Sequence, residues 1–86
     1  MPEICRFLGI VIAMYHNDHA PPHFHAKYSG KSGRFNISEA HMIEGNLPPR
    51  VVALIIEWTL QHQQELMEDW KLAEKGETLK EIEPLT

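Results

Sequence analysis

Hydrophobic and polar positions change rhythm twice along this chain. Residues 7 to 15, Phe7-Leu8-Gly9-Ile10-Val11-Ile12-Ala13-Met14-Tyr15, are apolar at both alternating sets of positions and rich in β-branched side chains. That pattern predicts a strand covered on both faces, internal to a sheet. From His23 the period becomes two. Phe24, Ala26 and Tyr28 alternate with His23, His25 and Lys27, and after Ser29-Gly30-Lys31-Ser32-Gly33, Phe35 and Ile37 alternate with Arg34, Asn36 and Ser38. Strands over 23–28 and 34–38 follow, joined by a tight turn. Paired as a hairpin, they gather the apolar set on one face and His23, His25, Lys27 and Arg34 on the other. A short edge strand is expected over 41–44, ended by Gly45.

Past Gly45 the period becomes helical. Asn46 reads as an N-cap, and Pro48-Pro49 as a first turn whose N–H groups would be unpaired in any case. Val51, Val52, Ile55, Trp58, Thr59, Leu66, Trp70 and Ala73 share one stripe, with Glu57, Gln61, Gln64, Glu68, Lys71 and Lys75 opposite. One rotation accounts for both stripes, so a single helix over about 48–75 is predicted, stopped by Gly76. Leu79, Ile82 and Leu85 then stand among charges beside Pro84, which predicts a loosely packed, extended tail over 77–86. The expected fold class is α+β, a three- or four-stranded, mainly antiparallel sheet packed on one long C-terminal helix.

Length allows little more than this. Eighty-six residues predict a single domain over 1–86, with a small core that a homodimer would reinforce. The formal net charge is -4, and much of the negative charge falls between Glu57 and Glu83. Nucleic-acid binding through overall charge is therefore not expected, although a local basic patch stays open. Cys5 is the only cysteine, so no intramolecular disulfide can form and a reducing compartment is the simplest reading. The apolar run at 7–14 is far shorter than the ~20 residues a bilayer span needs. The expectation is a cytoplasmic protein with no membrane segment.

Chemistry concentrates at residues 16 to 25, His16-Asn17-Asp18-His19-Ala20-Pro21-Pro22-His23-Phe24-His25, which hold four of the six histidines. Imidazoles with a carboxylate beside them suit a divalent transition metal, so His16, His19, His23 and His25 are candidate ligands. The same residues suit acid–base work on a phosphodiester. His23 or His25 would move the proton of an RNA 2′-hydroxyl while Lys27 and Arg34 hold phosphate. Asp18 either orients His19 or caps the turn before the prolines, and Asp18, His19, Lys27 and Arg34 are the candidate ligand-binding set. Trp58 and Trp70 fit the core stripe, and His62 reads as a half-buried helix residue.

These residues carry a resemblance. Arg6-Phe7-x-Gly9-Ile10, Tyr15-x-Asn17-Asp18-His19-x-Pro21-Pro22-His23-Phe24-His25-Ala26, Gly45-x-Leu47-Pro48, Glu57-Trp58 and Ile82-x-Pro84-Leu85 resemble domain-of-unknown-function family 4160, small bacterial proteins with no established activity. Members are often encoded beside another small protein, an arrangement similar to toxin–antitoxin pairs. The resemblance implies a binding or regulatory component of such a pair, its partner encoded nearby and its ligand site at Asp18, His19, His23 and His25. At the level of fold order the chain is also similar to small mRNA-interferase toxins that use a histidine, which begin with a helix and are basic where this chain is neither. That similarity implies a histidine-dependent RNase as the alternative, and a metal-binding protein is the third reading.

Overall fold

Leu8 and Gly9 divide the first apolar run. Their φ angles are 50° and 79°, as a two-residue hairpin turn of type I′ requires. The computed structural model, which describes residues 2–85, therefore has two strands where one was predicted over 7–15: β1 (Glu3–Phe7) and β2 (Ile10–Ala13). Leu8 disguised the turn, being apolar yet 68% exposed. Ser29 and Gly30 repeat the device with φ of 50° and 79°. The second turn is thus two residues long, and β3 (His23–Tyr28) pairs with β4 (Lys31–Asn36), which starts earlier and ends earlier than the expected 34–38. The edge strand is β5 (His41–Gly45). All neighbours are antiparallel in the order β1-β2-β3-β4-β5, so the sheet has five strands rather than three or four.

The period-two reading of β3 and β4 gives the correct faces. Phe24, Ala26 and Phe35 are fully buried, and the rings of Phe24 and Phe35 stack with centroids 5.4 Å apart. Helix α1 (Pro49–Gln61) covers this face, setting Trp58 edge-on to Phe24 at 5.7 Å and tilted to Phe7 at 5.8 Å. Asn46 is not its N-cap. Pro48 takes that position, and Asn46 instead extends the β4 pairing through its N–H to the Ser32 carbonyl and its side-chain oxygen from the Ser32 N–H.

The single helix over 48–75 is two. His62, with φ -130° and ψ 24°, ends α1 and precedes α2 (Gln63–Glu74). Within α1 the buried Thr59 hydroxyl donates to the Ile55 carbonyl at 2.7 Å, a bond that bends helices. The break has a packing reason. His23 and Phe24 are consecutive in a strand and point to opposite faces, yet Trp58 packs on Phe24 and Trp70 packs on His23 at 5.3 Å. A straight helix has no path that brings both tryptophans to those two places.

The tail is extended, as expected, but held firmly. Ile82 is buried and its N–H donates to the Ile4 carbonyl, Trp58 Nε1–H donates to the Glu83 carbonyl, and the Lys80 N–H donates to Asp69 Oδ1, all between 2.8 and 2.9 Å. Met1 and Thr86, the ends of the predicted domain and tail, lie outside the described residues. No described helix is long and apolar enough to cross a membrane.

Candidate functional site

Three donors converge where the loop after β2 meets the start of β3. Asp18 Oδ2 lies 3.0 Å from His23 Nε2 and 3.2 Å from His25 Nε2. The two histidines are two apart in one strand and so share a face, while the loop returns Asp18 to that face. Asp18 is itself fixed, its Oδ1 accepting the His19 N–H at 2.8 Å. His23 is 1% exposed under Trp70, and His25 is only a quarter exposed beside Tyr15, whose ring meets it edge-on at 4.6 Å.

The tautomer of His23 follows from its second contact. Nδ1 lies 2.8 Å from the Pro21 carbonyl oxygen, which can only accept, so Nδ1 carries a hydrogen. In a neutral ring Nε2 then presents its lone pair to Asp18. Lone pair against carboxylate is repulsive at 3.0 Å unless a cation sits between them, either a second proton on the ring or a metal ion.

The other two groups shift in a consistent direction, both downward. Burial works to raise the Asp18 carboxyl, but the His19 N–H and the facing rings of His25 and His23 outweigh it and hold the group below its ordinary value. Burial lowers His25, the hydrogen bond to Asp18 opposes, and the charges of His23 and Arg34 lower it further, so the net direction is downward. An ionised carboxylate and a neutral imidazole are the forms that bind metals.

Of the four candidate histidines the structure brings His23 and His25 together, with Asp18 beside them; among the described residues these three form the one group whose ligand atoms lie close enough together for a metal ion. His16 is exposed, and its Nε2–H donates to the Glu77 carbonyl at 2.9 Å, tying the loop to the tail. The exposed His19 contributes its backbone N–H rather than its ring. His41 pairs with Glu39 at 3.4 Å, and His62 Nδ1 lies 2.6 Å from Glu65 Oε1. Arg34 stands directly across from His25 and is held by Glu44 through Nη2, while exposed Lys27 follows His25 on the same face. Sequence reasoning missed Trp70, Tyr15 and the Pro21 carbonyl as parts of the site. The position of Tyr15 immediately before the histidine run was the available signal for one of them, and nothing in the sequence marked the carbonyl.

The model of the family described as Domain of unknown function (DUF4160) matches residues 9–71, a span that contains the whole donor cluster. The chain belongs to the DUF4160 family. No curated protein and no solved structure matches it. Within the DUF4160 match lie Asp18, His23 and His25, the Pro21 carbonyl that fixes the tautomer, Trp70 above His23, and Arg34 with Glu44. The tail that His16 ties down falls beyond it.

Proposed function

We infer that this protein is a small metal-binding module whose Asp18, His23 and His25 hold one divalent transition-metal ion. The observation that carries the reading is the geometry of His23, because the Pro21 carbonyl takes Nδ1–H and turns Nε2 to Asp18 Oδ2, a contact that a metal ion or a ring proton completes. A ring nitrogen donated to a backbone carbonyl is the usual support for a metal-ligating histidine. Two of the three donor separations agree as well, and all three atoms lie within 4.8 Å of one another. Ligands bonded at 2.0–2.1 Å lie about 2.9–3.4 Å apart at right-angle to tetrahedral geometry, and the two contacts of Asp18 Oδ2 are 3.0 and 3.2 Å.

Nitrogen and carboxylate donors without sulfur suit zinc, iron(II) or manganese(II), and three protein ligands leave positions for an exogenous ligand. When bound, such an ion supplies Lewis acidity there. The chain's own part is to keep Asp18 ionised and His25 neutral, to fix the His23 ring, and to shield the site with Trp70 and Tyr15. The same site is the ligand site of the regulatory role proposed from the family's gene arrangement, and co-purification with the product of the neighbouring gene tests that partner.

Calorimetric titration of zinc into chelator-treated protein without a histidine tag tests the metal reading. One site per chain is expected. Asp18→Ala and His25→Ala should each weaken it by at least about a hundredfold, whereas His19→Ala, which keeps the backbone N–H to Asp18, leaves it within about threefold. Equal loss on His19→Ala would refute the assignment.

A second reading, the histidine-dependent RNase, draws support from the Asp18–His25 pair alone, since His23 is buried beyond reach of a ribose. It requires RNA cleavage by chelator-treated protein that disappears in His25→Ala.

A further inference from the structure

Resting on that metal reading, we propose that the open positions of the Asp18–His23–His25 site take the phosphoryl group of a phosphate ester, with Arg34 as its second anchor. The sheet register sets the parts in a row. Ala13, His25, Arg34 and Glu44 face one another across β2, β3, β4 and β5, so the guanidinium is based one strand away from a metal ligand, about 5 Å between backbones.

Glu44 gives Arg34 a fixed seat without exhausting it. The carboxylate engages Nη2, and a guanidinium carries five N–H donors in a planar fork suited to two oxygens of one anion. Lys27, exposed on the same face, adds a second positive charge. With a divalent ion in place, the ion, Arg34 and Lys27 outweigh Asp18 and Glu44, leaving a positive patch on a chain of net charge -4. Local positive charge of that size favours a dianion. A phosphoryl group has the oxygens to contact the metal and the guanidinium together, whereas a carboxylate has only two and a single charge.

Cobalt(II)-loaded protein, titrated with inorganic phosphate and followed by its visible absorption, tests the proposal. Phosphate should change the spectrum saturably, and acetate should bind at least about tenfold more weakly. Arg34→Met should weaken phosphate by about tenfold, with cobalt affinity within about threefold of wild type, and Arg34→Lys, which keeps the charge but not the fork, should fall between. A spectrum indifferent to phosphate, equal phosphate affinity in folded Arg34→Lys and wild type, or acetate binding as tightly as phosphate would overturn the proposal while the metal site stands. Failure to bind cobalt at all would overturn both.

Discussion

A histidine with only 1% of its side chain exposed must satisfy both ring nitrogens inside the protein. His23 gives one to the Pro21 carbonyl and turns the other to Asp18, and that second contact is complete only with a cation. The other buried ionisable residue of note is Asp69, 1% exposed. Its Oδ1 accepts the Lys80 N–H, and its Oδ2 has no partner among the described residues. Burial raises its carboxyl above the ordinary value against the pull of the Lys80 N–H and charge. A group raised on folding adds stability below its unfolded value, about 3.9 for aspartate, and loses it as pH climbs through the folded value. Asp69→Asn keeps the acceptor for Lys80 and removes the titration. Its urea midpoint relative to wild type should therefore rise as pH climbs above about 4 and level off once the folded carboxyl has ionised; a difference that stays constant with pH would contradict the assignment.

At the scale of elements, both hairpin turns need φ > 0 at two successive residues. Gly30 and Gly9 meet this easily, and Leu8 does not. An ordinary L-residue in the left-handed region costs about 1–2 kcal/mol, and asparagine tolerates it better than most. Leu8→Asn should thus stabilise the protein by about 1 kcal/mol in urea unfolding, and would also remove an exposed apolar side chain; a loss of stability would mean that Leu8 has a packing role. The same residue shows what the sequence could reveal. Alternation at Phe24, Ala26 and Phe35 exposed the core face of β3 and β4, because a period of two has one structural meaning. Leu8 hid a turn behind apolar character, and His62 hid a helix break because nothing but tertiary packing, Trp58 on Phe24 and Trp70 on His23, demands it. The site was legible in part for the same reason. His23 and His25 share a face by periodicity, whereas the return of Asp18 to that face and the separation of the His16 and His19 rings from it depend on the path of a loop.

Across the whole molecule, the donor cluster lies where the sheet, the loop after β2 and α2 meet. The loop is bound to α2 by the Asn17 N–H on the Ala73 carbonyl and to the tail by His16 on Glu77, while the tail is bound to β1 and α1 through Ile82 and Glu83. Asp18 thus sits in a loop bound directly to α2 and, through the tail, to α1 and the first strand. Such support holds the three side chains in place before any ligand arrives. Anomalous diffraction at the zinc edge from crystals of the zinc-loaded protein is the most direct test. One peak about 2.0–2.2 Å from Asp18 Oδ2, His23 Nε2 and His25 Nε2 is the predicted result. No peak there in crystals with zinc at saturation, or a peak bound by the His16 or His19 ring instead, would contradict the account.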